Sequence, residues 1–225
     1  STLTETGYWQ GEIWNRRKNG EIFPEHMSLS AVRDPAGEIT HYVCMFTDIS
    51  EEKAQQRRLE FLAHNDALTG LSNRSWFGHQ LELAVQEAQD SGEHIAVLLL
   101  NLDRFKDVND SYGHLVGDKA LESISAAVQA CLRESDILVR YGGDEFLLVL
   151  PGIPADYFKV KLEQIRTAVQ QTVVPGYPHF RLSLSIGGAM QTLADPMENV
   201  VRRADLLMYQ AKNHKDAVAV NTQDS

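Results

Sequence analysis

The apolar residues of this chain change period near Asn65, and that change splits it into two folding problems. Between Gly7 and Ile49, apolar and polar residues alternate over Trp9 to Trp14, Ile22 to Val32 and Ile39 to Phe46. Period two marks a strand with one face against a core. Asn19-Gly20 and Asp34-Pro35-Ala36-Gly37 fall between these stretches as turn sequences, so a three-stranded antiparallel meander is expected. Ile13, Phe23, Met27, Leu29, Val43 and Met45 are expected to form an apolar face covered by a helix or another chain. Three strands alone are marginal, so the segment reads as the end of a larger domain.

Ser50 is expected to cap a helix whose first turn carries Glu51 and Glu52, favourable at its positive end. Ile49, Gln56, Leu59 and Ala63 lie on a heptad-like stripe, which suits either a paired helix or a solvated linker. Beyond Asn65, helical and strand patterns are mixed. Phe77, Leu81, Ala84, Val85 and Ala88 mark a helix face closed by Gly92, and Ile95 to Leu102 reads as a buried strand. Leu115 to Leu132 is a predicted helix. Asp136 to Tyr141 and Glu145 to Leu150 flank Gly142-Gly143 as a hairpin, followed by helix Ala155 to Val169, strand Phe180 to Met190 and helix Pro196 to Asn213. Hairpins among helices define an α+β layer structure rather than a parallel doubly wound sheet.

With 225 residues, 43% of them apolar, the chain can build one full core and a smaller piece. Its formal charge of -10 excludes the broad basic footprint that nucleic acid or an anionic membrane surface requires. The apolar run Ile95 to Leu100 is too short to span a bilayer, and the sequence opens on no signal-like stretch, so a soluble cytoplasmic protein is expected. Cys44 and Cys131 sit in apolar patterns without metal-ligand spacing and read as buried free thiols.

Chemistry gathers in two places. Tyr141-Gly142-Gly143-Asp144-Glu145-Phe146 sets two glycines beside two carboxylates at a hairpin tip. Glycines admit a bulky ligand close to the backbone, and carboxylates are hard-oxygen ligands for magnesium; an ordinary turn has the same composition. The second place is Asn101-Leu102-Asp103-Arg104-Phe105-Lys106-Asp107-Val108-Asn109-Asp110 with Tyr112-Gly113-His114 and Gly117-Asp118. A strand end opening into a helix offers backbone N–H groups to phosphate, Lys106 adds charge, and Asn109 and Asp118 can read a purine edge. Taken singly, these residues also suit helix caps and a solvated lysine.

Together with Asp66-Ala67-Leu68-Thr69-Gly70-Leu71, Asn73-Arg74, Ala204-Asp205 and Tyr209-Gln210-Ala211-Lys212, these segments resemble the GGDEF family of diguanylate cyclases. The strands ending in Asp48-Ile49-Ser50 resemble the C-terminal half of a PAS sensor domain. The resemblance implies a PAS part at 1–49, a linker helix at 50–65 and a GGDEF domain at 66–221. It implies a nucleotidyl-cyclase-like fold whose central, mainly antiparallel sheet is flanked by helices. It also implies condensation of two GTP into cyclic di-GMP by a homodimer with Mg2+ or Mn2+.

Site roles follow from the same resemblance. Asn109 and Asp118 match the guanine pair, with His114 in the same turn. Backbone N–H groups around Arg104, Phe105 and Lys106, with the Lys106 and Lys212 side chains, match the phosphate contacts. Asp144, the Leu102 carbonyl and position 101 match the metal site, and Glu145 completes the signature, so that Asp144, Glu145 and Lys106 are the candidate catalytic residues. Gly142 and Gly143 leave room for the nucleotide. Arg133 and Asp136 match the product-inhibition pair. Two positions depart from the pattern: Asn101 replaces the first metal-binding aspartate, with Asp103 as a substitute ligand, and Asp216 replaces an arginine near the phosphates, with Lys215 as a substitute cation. A weak or silent domain that binds GTP or cyclic di-GMP and regulates a neighbour is therefore the alternative to an active cyclase.

Overall fold

The computed structural model describes residues 2–191 and 195–221, excluding the side chains of Thr2 and Thr4. The chain divides into two compact units, Ser1–Phe61 and Leu62–Ser225. In the first, a short helix α1 (Thr2–Thr6) precedes strands β1 (Tyr8–Arg16), β2 (Ile22–Arg33) and β3 (Ile39–Asp48), which pair antiparallel in the order β1-β2-β3. Gly20 and Gly37 take left-handed backbone in the two turns (φ 92° and 88°), the conformations those turn sequences require. Helix α2 (Ser50–His64) follows. Ser50 is its first residue rather than its cap, and the Asp48 carboxylate accepts the Ser50 N–H at 2.9 Å.

The register corrects the expected apolar face. Met27 lies opposite Phe46 and Leu29 opposite Cys44, so Tyr42, Cys44 and Phe46 share a face with Ile13, Phe23, Met27 and Leu29. Val43 and Met45 point to the opposite side, with Trp14. A one-residue offset in β3 moves every side chain across the sheet. Phe46, Met45 and Trp14 are all exposed. Cys44 is exposed and Cys131 half-buried, not buried as expected, and both thiols are free. On α2 the stripe is similarly open, Gln56, Leu59 and Ala63 being exposed while Ile49 is buried just before the helix.

The second unit is built on a six-stranded sheet. In chain order its elements are β4 (Ser72–Asn73), α3 (Arg74–Ser91), β5 (Ile95–Leu102), α4 (Phe105–Tyr112), α5 (His114–Gln129), β6 (Ile137–Arg140), β7 (Glu145–Pro151), α6 (Ala155–Gln171), β8 (Leu184–Met190), α7 (Met197–His214) and β9 (Val218–Asn221). The strand order is β4-β6-β7-β5-β8-β9, antiparallel except for the outer pairs β4/β6 and β8/β9. Strand β5 is central and buried along its whole length because both faces are covered. Leu98, Leu100 and Leu102 meet Leu121 and Ile124 of α5 and Phe158 and Leu162 of α6. Val97 and Leu99 meet Phe77 of α3 and Ala204 and Met208 of α7. Strand β8 begins at Leu184, later than the predicted Phe180; the helix expected to open after β5 is α4, separate from α5, and β9 was not foreseen. No helix among the described residues is long and apolar enough to cross a membrane.

Helix α7, which carries Lys212, lies unusually close to β8. A Cβ built on Gly187 would sit 2.0 Å from the Met208 backbone nitrogen and 2.2 Å from the Ala204 carbonyl. Backbone cannot yield as a side chain can, so Gly187→Ala must push the helix off the sheet. A loss of about 3 kcal/mol or more is expected, as for severe overpacking. Urea unfolding that shows less than about 1 kcal/mol of change would contradict this packing.

Candidate active site

Strand β5, the β6–β7 hairpin and the start of α4 meet at one end of the sheet. Asn101 is the register partner of Glu145 on one side and of Ser185 on the other. The Leu102 N–H donates to the Asp144 carbonyl at 3.0 Å, tying the hairpin tip to the strand end. At the tip, the Tyr141 and Gly142 N–H groups both donate to the Glu145 carbonyl, at 2.9 and 3.2 Å. Neither Gly142 nor Gly143 has a positive φ, so space rather than backbone conformation is what these glycines provide. A Cβ on Gly142 would press on Glu145 Oε2 at 3.2 Å, and around Gly143 there is open room.

Helix α4 starts after Arg104, whose backbone is left-handed (φ 56°), and no side chain caps it. Its first N–H groups, at Phe105 and Lys106, are therefore free of side-chain acceptors and suited to an anion. Lys106 and His114 are exposed and Asp118 half-buried. Asn109 stands against α5: its Oδ1 is buried without a hydrogen-bond partner, and a Cβ on Gly117 would overlap it at 2.0 Å. The absence of a side chain at Gly117 is what leaves room for this amide oxygen.

Position 101 is equally telling. Asn101 is 1% exposed, and neither Oδ1 nor Nδ2 has a partner. Among the described residues no three His, Cys, Asp or Glu side chains are grouped to hold a metal. The oxygens that could serve one are the orphaned Asn101 Oδ1, the Leu102 carbonyl and the half-buried Asp144 and Glu145, all hard donors fit for Mg2+ or Mn2+.

Asp103 does not stand in as expected. Its Oδ1 accepts from Ser185 at 2.6 Å, and its Oδ2 accepts from Ser183 and from the Asp216 N–H, each at 2.9 Å. Those three bonds turn the carboxylate toward β8 and make it a brace between the β5 end and the α7–β9 turn. Asp216 is also placed differently from expectation. Its Oδ2 accepts from Arg166 Nη1 at 2.9 Å and from Gln170 at 3.0 Å, so its charge is met by α6 rather than set against a phosphate. Arginine at 216, with the same backbone, would face Arg166 and could not simply restore the family pattern.

One contact was missed in the sequence. Arg140 Nη1 reaches both Asp66 oxygens at 3.0 and 3.1 Å, and its Nη2 donates to the Gly143 carbonyl at 2.8 Å. Asp66 also accepts from the Thr69 N–H and hydroxyl. Arg140 thus latches the signature turn to the Asp66–Leu71 segment. Burial pushes the Asp66 carboxyl pKa up, but the Thr69 N–H, Arg140 and the Thr69 hydroxyl together hold it below the ordinary value. A depressed carboxyl stabilises above its unfolded pKa, about 4, and that contribution is lost as pH falls through the lowered folded value. Asp66→Asn is accordingly expected to lower stability at pH 7 and to flatten the acid limb of the pH–stability curve; an unaltered acid limb would remove the latch from the account.

Arg133 and Asp136 lie together before β6. The Arg133 N–H donates to Asp136 Oδ2 at 2.8 Å, and both residues line a cavity of about 500 Å3 with Ser72, Gln80 and Gln129. This cavity is lined by residues distinct from those at the hairpin tip.

Residues 63–217 match the family described as "Diguanylate cyclase, GGDEF domain", and residues 2–51 match a PAS domain. The chain is 36% identical over 191 residues to diguanylate cyclase DgcM of Escherichia coli, covering 83% of this chain and 46% of that protein. It is also 36% identical over 171 residues to the cyclic di-GMP phosphodiesterase PdeR of the same organism, covering 76% of this chain and 26% of the relative. The chain thus spans less than half the length of these relatives. Among solved structures, the coiled coil and GGDEF domain of DgcB from Caulobacter crescentus in complex with c-di-GMP superposes with a TM-score of 0.70 at 26% identity, covering 77% of this chain and 93% of that one. Diguanylate cyclase SiaD from Pseudomonas aeruginosa, in complex with its activator SiaC, gives 0.67 at 32% identity, covering 77% and 69%. The fold and its matched segments define a GGDEF-type α+β domain following PAS-type strands. The chain belongs to the GGDEF diguanylate cyclase family.

Proposed function

We propose that this chain condenses two GTP into cyclic di-GMP, each of two domains in a homodimer presenting one nucleotide. The observation that carries the reading is the convergence, at the end of β5, of an Asn109 amide oxygen without a partner, uncapped α4 N–H groups and the carboxylate-bearing hairpin. Asn109 and Asp118 hold the guanine edge. Lys106, Lys212 and the Phe105 and Lys106 N–H groups hold and orient the phosphates, so that the 3'-hydroxyl of the other GTP meets the α-phosphorus as the bond to pyrophosphate breaks. Glu145, the register partner of Asn101, accepts the hydroxyl proton in this reading. Mg2+ or Mn2+, when bound by Asn101, the Leu102 carbonyl and Asp144, supplies charge neutralisation at the phosphates. Incubation with GTP and either metal, followed by chromatography, should yield cyclic di-GMP. A second reading, a domain that binds nucleotide without turnover, is favoured by the neutral amide at 101; GTP binding without product would select it.

Product feedback is part of the proposal. The planar guanidinium of Arg133 suits the guanine and phosphate of cyclic di-GMP, with Asp136 accepting from the base. Arg133→Ala is expected to weaken product binding about tenfold or more by calorimetry, the worth of one charged contact. Equal affinity in the variant would move the inhibitory site elsewhere.

A further inference from the structure

Lys161 is buried, 7% exposed, on the face of α6 that sends Phe158, Leu162 and Ile165 into the core. Buried cations are normally paired with carboxylates. The ion pairs of α6 run instead through Arg166, to Glu163 and Asp216, and among the described residues no carboxylate pairs with Lys161. Its Nζ donates to the Cys131 carbonyl, 30 residues earlier in the chain.

That carbonyl lies where the chain leaves α5. The Cys131 and Leu132 N–H groups donate to the Val128 and Gln129 carbonyls, at 2.9 and 3.0 Å, so the helix tightens as it ends. Its last carbonyls form a negative pole, at which a cation is favourable without a carboxylate. Two residues further on, the Arg133 N–H donates to Asp136 Oδ2 and the Asp136 N–H returns to the Arg133 carbonyl, at 2.8 and 3.1 Å. The segment from Cys131 to Asp136 is therefore closed on itself at its far end and held from α6 at its near end. Gln129, Leu132, Arg133 and Asp136 line the cavity of about 500 Å3, whereas Lys161 does not.

We propose that Lys161 is a positioning residue for cyclic di-GMP: by holding the Cys131 carbonyl it fixes the direction in which the chain leaves α5, and so the place of Arg133 at the cavity. The role rests on the product-feedback reading and acts only through Arg133. A planar guanidinium that must meet both a base and a phosphate tolerates little displacement of its backbone. Without the Nζ donor the Cys131 carbonyl loses its partner, and the turn is no longer tied to α6. The same contact has a chemical signature. Burial pushes the Cys131 thiol pKa up, and the Lys161 cation pulls it partly back.

The test uses the full chain with Lys161→Met, which removes donor and charge at similar volume, and Lys161→Arg, which keeps both. Lys161→Gln, shorter and uncharged, carries the same expectations as the methionine variant and replaces it if methionine prevents folding. Calorimetric titration with cyclic di-GMP should show about tenfold weaker binding in Lys161→Met and an affinity within about threefold of the parent in Lys161→Arg. Affinity for a non-cleavable GTP analogue should be unchanged in both. Alkylation of Cys131 by iodoacetamide, in a Cys44→Ser background, reads the charge itself. The thiolate is the reactive form, so loss of the cation should move the midpoint of the rate–pH curve upward in Lys161→Met and leave it in place in Lys161→Arg. A part in packing alone would not move that midpoint. The proposal is overturned if the methionine and arginine variants weaken product binding alike, or if the alkylation midpoint stays at its parental value. Parental affinity in Lys161→Met sinks the role of Lys161 and leaves product feedback standing; a parent chain that binds no cyclic di-GMP sinks product feedback and this role with it.

Discussion

Replacing Asn101 with aspartate is expected to raise cyclase turnover about a hundredfold while changing GTP affinity little, because about 3 kcal/mol of charge stabilisation at the reacting phosphate is worth that factor. Guanine and phosphate contacts from Asn109, Asp118, Lys106 and the α4 backbone do not involve position 101, so the ground state should be nearly indifferent. Stability gives an independent reading. The side chain is 1% exposed and neither of its polar atoms has a partner. A carboxylate there is a buried, unpaired charge unless a cation meets it, so its pKa rises and folding is penalised. In the absence of divalent metal the variant should melt about 6–12 °C below the parent chain, the equivalent of about 3 kcal/mol in a domain of this size. Added Mg2+ or Mn2+ should recover most of that loss, because a ligand that binds only the folded state stabilises it. Larger activation is expected in Mg2+ than in the more tolerant Mn2+. If turnover and the metal dependence of melting both stay at parental values, position 101 is not part of the metal site.

Gly117→Ala should weaken guanine recognition about a hundredfold without harming the fold. Alanine favours a helix over glycine by about 1 kcal/mol, so α5 itself gains from the change. The new Cβ, however, would lie 2.0 Å from Asn109 Oδ1 and 3.1 Å from the Phe105 ring. A side-chain amide yields where backbone would not, and Asn109 must rotate out of its present place. Loss of two hydrogen bonds to the purine edge, at about 1.5 kcal/mol each, weakens GTP binding about a hundredfold and removes the preference over ATP. Equilibrium dialysis with both nucleotides measures this directly. Retained affinity and retained discrimination would show that Asn109 does not read the base.

The two glycine changes separate the ways a small residue can matter. At Gly187 the obstacle is the backbone of α7, and the expected consequence is loss of stability. At Gly117 it is one functional side chain, and the expected consequence is loss of specificity. The sequence around each residue does not say what a side chain there would meet. Only their neighbours distinguish them.

Local pattern was sufficient where the physics is local. The span of β5 followed from a continuous apolar run, since a strand buried on both faces needs no polar alternation. The end of α3 followed from Gly92, which takes the left-handed cap (φ 71°) that other residues avoid. The β6–β7 hairpin followed from paired glycines between alternating stretches, and the motifs at the end of β5 and at the hairpin were adjacent enough to suggest one site. What the tertiary structure decided is the choice of partner. Asp103 meets Ser183, Ser185 and the Asp216 N–H across 80, 82 and 113 residues, and Arg140 meets Asp66 across 74. The direction of Asp216, toward Arg166 instead of the phosphates, depends on where α6 packs, and the faces of β3 depend on a register that one residue would reverse. Periodicity is carried by neighbours a few positions apart and is written along the chain. A charged side chain instead takes its orientation from whichever donor the finished packing brings within about 3 Å, and no single segment contains that information.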